Sequence, residues 1–213
     1  MSLPEFCEEL FYTSNLNLFE SNFKIYLQKV DEYSFLETQK WLKRLNKNYT
    51  LKQIKNLYQL NLYNCSVKKL PTLKLPNLQR LDLWDNKLTE FPTLNFPNLQ
   101  QLILSYNQLK SIQTLSLFPN LKELYLSRNQ LTSFPTLNLP NLEYLCLDYN
   151  QLTELPALNL PNLKYLNISY NQLREISSLN FPNLETLYLY HNPLTEQSIK
   201  YIKSLIFSIF FSI

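Results

Sequence analysis

Between residues 57 and 194 one phrase recurs in near-constant register, and it leaves room for little but a stack of similar units. Its plainest copy is Leu78-Gln79-Arg80-Leu81-Asp82-Leu83-Trp84-Asp85-Asn86-Lys87-Leu88, continued by Thr89-Glu90-Phe91-Pro92-Thr93-Leu94-Asn95-Phe96-Pro97-Asn98. A marker residue stands at Cys65, Asn86, Asn107, Asn129, Asn150, Asn171 and Asn192, in steps of 21, 21, 22, 21, 21 and 21 residues. The longer step comes from an extra residue in Ser116-Leu117-Phe118-Pro119. With so short a period no unit can bury its own apolar side, and stacked neighbours must supply the core.

Each copy predicts a short strand on x-Leu-x-Leu-x, as at Arg80–Trp84. Strand side chains alternate, so Leu81 and Leu83 point inward and the residues between them point out. The marker Asn turns the chain out of the sheet, and its amide can bond main-chain groups of its own and the adjacent copy. Cys65 takes that place in the first copy as a small buried residue. In the return half two prolines per copy, such as Pro135 and Pro140, exclude a regular helix. Extended or polyproline-II backbone with a tight turn at Pro-Asn is expected instead. Ile112-Gln113 and Ile176-Ser177 replace the usual proline in the third and sixth copies.

The phrase L-x-x-L-x-L-x-x-N-x-L resembles the leucine-rich repeat of intracellular proteins. That resemblance implies an α/β repeat solenoid: a curved, thin and rigid arc with a parallel concave sheet, an extended convex side and helical caps. Three segments follow, a helical N-terminal cap at 1–56, seven repeats at 57–194 and a C-terminal capping helix at 195–213. The wording Asn150-Gln151-Leu152-Thr153-Glu154-Leu155-Pro156 is also similar to the repeats of bacterial effectors delivered into host cells. Such effectors often append a ubiquitin-ligase domain; none is visible here, so ligase activity is not carried over.

The N-terminal segment reads as helical. Ser34-Phe35-Leu36-Glu37 has the form of a capping box, followed by Leu36, Trp41, Leu42 and Leu45 as an apolar stripe. A second helix is expected from Ser21 to Val30, with Phe23, Ile25, Tyr26, Leu27 and Val30 available for burial, and a third over Pro4–Tyr12. Leu3-Pro4 with Leu10-Phe11, and then Lys40, Trp41, Arg44 and Leu45, also resemble an F-box. That resemblance implies docking of residues 1–56 on a ubiquitin-ligase scaffold while the repeats select a substrate. At the other end Thr195 predicts an N-cap, and Ile199, Ile202, Leu205, Ile206, Ile209 and Phe210 keep helical spacing. The apolar tail Leu205–Ile213 is too short to span a bilayer, which needs about 20 apolar residues. Burial against the array, not contact with a membrane, is the expectation.

Composition narrows the function. The chain carries a net charge of +3, but residues 57–194 hold ten Lys or Arg against nine Asp or Glu. No basic stripe marks the array, so nucleic acid is not the expected partner. Three scattered cysteines fit a reducing compartment, and Glu5, Glu8 and Glu9 stand where a Sec signal needs a basic start. A cytoplasmic monomer is expected, in the host cytoplasm if the chain is a secreted effector. Catalysis is not expected. His191 is the one histidine, without a second ligand or a nucleophile to pair with. The chain has no glycine, which removes the phosphate loops that need it and leaves abundant Asn as the residue best able to take positive φ. No cofactor or metal is implied.

The outward strand positions are what the fold does not dictate. Among them Trp84, Tyr106, Tyr125, Tyr144, Tyr149, Tyr165, Tyr170, Tyr188 and Tyr190 place aromatic surface where solvent should be, with Arg80, Asp82, Asp85, Glu123, Arg128 and Asp148 interleaved. Cross-strand stacking would hold such rings at about 0.2–1 kcal/mol per pair. Tyr, Trp and Arg are also the residues that dominate protein-binding hot spots. These fifteen residues are the expected binding surface for a protein partner on the concave face.

Overall fold

The computed structural model describes residues 16–113, 115–176, 179–204 and 210–212, which divide into a helical unit ending at Lys55 and a repeat unit beginning at Asn56. In the helical unit α1 spans Leu16–Arg44 without interruption. Ser34 is therefore not a helix start. Nothing between Leu16 and Arg44 is Gly or Pro, and the Ser34 hydroxyl donates back to Val30 O (2.9 Å), as Thr38 does to Ser34 O (2.9 Å). This back-bonding lets both residues sit inside a helix. Phe23, Ile25 and Leu27, offered for burial by the sequence, are exposed, whereas Phe35, Thr38 and Leu42 are buried. The helix α1 ends at Asn46 with φ of 58°, where Lys47 N–H reaches Leu42 O (3.0 Å) and Asn46 N–H reaches Lys43 O (3.0 Å). That is a Schellman stop with Asn where Gly is usual. A reciprocal capping box stands instead at Thr50, whose N–H donates to Gln53 Oε1 (2.8 Å) while Gln53 N–H donates to Thr50 Oγ1 (3.2 Å), opening α2 at Leu51–Lys55. The expected helix over Pro4–Tyr12 lies outside the described residues.

The repeat unit is a parallel sheet with one strand per repeat: β1 Gln59–Asn61, β2 Arg80–Asp82, β3 Gln101–Ile103, β4 Glu123–Tyr125, then, beyond the two-residue return strand β5 Leu137–Asn138, β6 Tyr144–Cys146. After a second return strand, β7 Leu158–Asn159, come β8 Tyr165–Asn167 and β9 Thr186–Tyr188. Equivalent residues of successive repeats pair, Leu60 with Leu81, Leu102 and Leu124, and on through Leu145, Leu166 and Leu187. All of these leucines are buried, and burial of each side chain contributes about 1.5–3 kcal/mol. The strands are shorter than expected, β2 ending at Asp82 and not Trp84, although main-chain bonds to the next repeat continue through Leu83 and Asp85 N–H.

On the convex side the backbone is extended, with β5 and β7 pairing as a second, two-stranded sheet. The long third repeat places its extra residue in a 3-10 turn at Leu115–Leu117, above a cluster of Phe91, Phe96 and Phe118. The Pro-Asn turns carry a feature the sequence reading did not reach. Asn98, Asn120, Asn141, Asn162 and Asn183 each donate to the proline carbonyl one repeat earlier, at 2.7–3.0 Å.

The last repeat is sealed by α3, Glu196–Ser204. Thr195 caps it, accepting Ser198 N–H at Oγ1 (3.3 Å) and Ile199 N–H at its carbonyl (3.0 Å). Ser198 Oγ accepts Ile176 N–H (2.9 Å) and Tyr201 Oη accepts Leu179 N–H (2.9 Å), so helix hydroxyls satisfy two main-chain amides of the last return segment. Leu205, Ile206 and Ile209 lie outside the described residues. Phe210 does not continue a helix: Phe210–Ser212 form β10, parallel to β9, because the free edge of the last strand still offers main-chain groups to pair.

Candidate functional site

The marker column builds the platform. Asn107 Nδ2 donates to Leu83 O (2.9 Å) and Leu104 O (3.0 Å), and its Oδ1 accepts Leu88 N–H (3.0 Å). Asn86, Asn129, Asn150 and Asn171 repeat these contacts, which satisfies backbone groups as the chain turns out of the sheet. Cys65 makes no such bridge; its thiol meets Tyr63 O (3.4 Å), and its amide and that of Val67 both bond Asn86 Oδ1 (3.2 and 2.8 Å).

The residue just before each marker is left-handed. Asn64, Asp85, Tyr106, Arg128, Tyr149, Tyr170 and His191 have φ between 48° and 57°. With no glycine available, Asn was the expected occupant of such positions, yet in the array it fills this one only at Asn64. The outermost column therefore stands on the exit turn, at the rim of the sheet and not on its strands.

That turn aligns the planar groups of the third to seventh repeats, and Trp84 and Tyr63, one place before the turn in the second and first repeats, extend the stack. Tyr63 lies on Trp84 (4.8 Å, 13°), and Trp84 meets Tyr106 (4.7 Å, tilted). The Arg128 guanidinium lies between Tyr106 (5.1 Å) and Tyr149 (4.0 Å). Tyr149 stacks on Tyr170 (4.1 Å, 8°), and Tyr170 on His191 (4.2 Å, 26°). Planar groups from all seven repeats thus form one continuous ladder. Tyr63 and His191 were not among the fifteen expected binding residues. Their place in the stack is visible only from the ring contacts between repeats. Hydrogen bonding to Tyr149 holds the Tyr170 phenol above its ordinary range.

The inner columns divide by chemistry. Toward the N-terminal repeats, Arg80 pairs with Asp82 (3.2 Å) and reaches Gln101, Gln101 reaches Glu123, and Glu123 accepts the Tyr125 hydroxyl (2.9 Å). Burial and then the Glu123 carboxylate push the Tyr125 phenol far up. Asp82 is buried and also accepts Trp84 N–H (3.1 Å), whereas Asp85 is half-buried on the exit turn. Toward the C-terminal repeats the face is aromatic. Tyr144 meets Tyr165 (6.0 Å), Tyr165 meets Tyr188 edge-on (5.7 Å), and Tyr188 meets Tyr190 (5.8 Å). Burial pushes the Tyr165 phenol up to about 12 and the Cys146 thiol up to about 12, with the Asp148 charge adding to both. Asp148 accepts the Ser127 hydroxyl (2.5 Å). Of the fifteen expected residues, Trp84, Tyr106, Arg128, Tyr149 and Tyr170 stand in the ladder itself, Arg80, Asp82, Glu123 and Tyr125 form the polar set, Tyr144, Tyr165, Tyr188 and Tyr190 form the aromatic set, and Asp85 and Asp148 stand outside all three. Among the described residues no three His, Cys, Asp or Glu side chains are grouped as a metal would require, and no helix is long and apolar enough to cross a membrane.

Known structures are similar to this one. The leucine-rich effector YopM of Yersinia pestis superimposes with a TM-score of 0.61 at 29% identity, over 76% of this chain and 48% of that one. YopM of Yersinia enterocolitica gives 0.59 at 27% identity, over 77% and 43%. This chain therefore spans less than half the length of those proteins. Internalin C2 of Listeria monocytogenes shares the fold, with a TM-score of 0.59 at 24% identity over 82% of this chain and 92% of that one. No curated protein matches the sequence significantly. The family described as leucine rich repeat matches residues 76–131, and that described as Leucine Rich repeats (2 copies) matches 119–160, 140–181 and 161–205. With the register, the parallel sheet and the asparagine ladder in agreement with those matches, the chain belongs to the leucine-rich repeat family.

Proposed function

We propose that this leucine-rich repeat module works by binding a protein partner on its concave face, with the rim ladder of planar side chains as the recognition surface, and that it acts as a bacterial effector in the host-cell cytoplasm. Leucine-rich repeats are protein-interaction modules, and the likeness to the Yersinia effectors supports the second half of the reading. No catalytic role is assigned to it.

The ladder itself carries the argument. A left-handed conformation costs a non-glycine residue about 1–2 kcal/mol. A stacked aromatic pair returns about 0.5–1.5 kcal/mol. The two nearly cancel, so large planar groups at these turns do little for stability that Asn would not do. What they provide is a rigid row with exposed edges, Tyr106, Tyr149 and Tyr170 each being 37–40% accessible. Rings already held in place lose little entropy on binding.

Affinity capture from eukaryotic lysate tests this, with the intact chain beside a Tyr106→Asn, Tyr149→Asn, Tyr170→Asn variant. Asn suits the left-handed turn, so the variant should stay folded, as circular dichroism would verify. The expected result is a captured protein whose binding falls by about tenfold or more in the variant, as loss of hot-spot rings requires. Undiminished capture by a folded variant overturns the proposal.

A further inference from the structure

The middle rung of the ladder differs from the rest. Arg128 brings a permanent charge into the stack and stands at its centre, with three planar rungs on either side. Its guanidinium lies over the Tyr149 ring (4.0 Å) and over the Tyr106 ring (5.1 Å), so both flat faces meet aromatic surface. Arg128 is still an exposed residue. With its faces covered, what the guanidinium offers to solvent is the planar edge that carries its N–H donors.

That edge is unmatched within the chain. Among the described residues Arg128 makes no ion pair and no side-chain hydrogen bond. Arg80, the other arginine among the outward positions, shows what such a fork does when it has a partner: it takes the Asp82 carboxylate (3.2 Å) and reaches Gln101. The carboxylates of Arg128's own repeat and the next are engaged elsewhere. Glu123 meets Gln101 and the Tyr125 hydroxyl (2.9 Å), and Asp148 accepts the Ser127 hydroxyl. Rings alone therefore hold the guanidinium, and a side chain already held gives up little rotamer freedom on binding.

We propose that the N–H edge of Arg128 receives the carboxylate of an aspartate or glutamate side chain of the protein partner. The inference rests on the concave face being the binding surface, and it names the group met at the centre of that surface. A carboxylate matches the fork through two parallel N–H···O bonds. Being planar, it extends the rung between the edges of Tyr106 and Tyr149, where a tetrahedral phosphate group is thicker than the guanidinium it would meet. Charge acts in the same direction. Asp85, Glu123 and Asp148 share this face, and they repel a doubly charged group more than a singly charged one. Position agrees as well, since hot spots gather near the centre of an interface and are rich in arginine.

The test is a titration of the full chain with acetate as the carboxylate probe, followed at the arginine Nε–H resonances in nitrogen–proton correlation spectra. Sodium chloride holds the ionic strength constant, acetamide is the uncharged counterpart and methyl phosphate the tetrahedral one. Arg44 and Arg174, both exposed and off the ladder, stand for ordinary surface arginines. Acetate should shift Arg128 Nε–H saturably, at concentrations about tenfold below those needed at Arg44 and Arg174, as charge-assisted bonds to a held fork require. Acetamide and methyl phosphate should bind it more weakly. The Tyr106→Asn, Tyr149→Asn, Tyr170→Asn variant, its folding verified by unchanged amides at Leu81 and Leu102, should respond at Arg128 as at Arg44. No saturable shift, equal responses at the three arginines, a tighter response to either counterpart, or an undiminished response in the folded ring variant would each overturn the assignment. In capture, Arg128→Lys keeps the charge but loses the fork, and should weaken a ring-dependent partner by about tenfold. A partner that needs the rings yet binds Arg128→Lys as tightly as the intact chain would sink the carboxylate contact and leave the binding face standing.

Discussion

Asn150 satisfies four main-chain groups with one side-chain amide: it donates to Leu126, Leu147 and Asp148 carbonyls and accepts Leu131 N–H. Replacing it with Ala strands buried partners in two repeats, and Asn150→Ala should cost about 3 kcal/mol or more, read from the guanidinium unfolding midpoint. The residue before it makes the opposite point. Tyr149→Ala and Tyr149→Asn both remove a ring, but only Asn tolerates φ near 54°, so the Asn variant should be the more stable by about 1 kcal/mol. Cys146 gives a pH dependence. Its thiol rises from an ordinary 9.0 to about 12 on folding, chiefly by burial. Between those values the unfolded chain loses a proton that the folded chain keeps, so the contribution is intact below pH 9 and stability falls as pH rises toward 12. Unfolding midpoints at stepped alkaline pH should fall less steeply in Cys146→Ala.

Among elements, α3 shows how a repeat array stops. Its Ser198 is 3% accessible and supplies the acceptor for Ile176 N–H. Ser198→Ala should cost about 1–3 kcal/mol, and hydrogen exchange at the Ile176 amide should lose protection while Leu102 keeps it. If Ile176 stayed protected, the hydroxyl would not be the seal. In α1, by contrast, the local signal at Ser34 misled. A capping box is decisive only where the helix must begin, and nothing upstream of Ser34 breaks the helix. The same pattern at Thr50 does start one, because Asn46 has already ended α1.

At the scale of the whole molecule, stability is a chain of nearest-neighbour terms, since each repeat bonds only to the next. The same substitution should therefore cost less at the end than in the middle. Asn192 is half-buried where Asn150 is buried. Asn192→Ala should lower stability by about 1 kcal/mol, well under the loss at Asn150, and equal losses would show that the array does not behave as a sum of neighbours. The proposed binding surface is collective in the same way. Seven repeats each contribute one planar group, so a single ring should matter less than three together.

By itself the sequence determined the repeat register, the inward leucines, the marker ladder, the non-helical convex side and the face on which the outward residues meet, because each follows from a fixed period and the alternation of strand side chains. Tertiary structure decided what periodicity cannot carry. The left-handed exit turn moved Tyr106, Arg128, Tyr149 and Tyr170 from separate strand positions into one stack with Tyr63 and His191. The Pro-Asn turns proved to be a second asparagine ladder, and Ser169 proved buried despite its outward place. Each of these depends on where a neighbouring repeat puts its atoms. Period fixes which residues are equivalent; only packing between repeats fixes what equivalent residues touch.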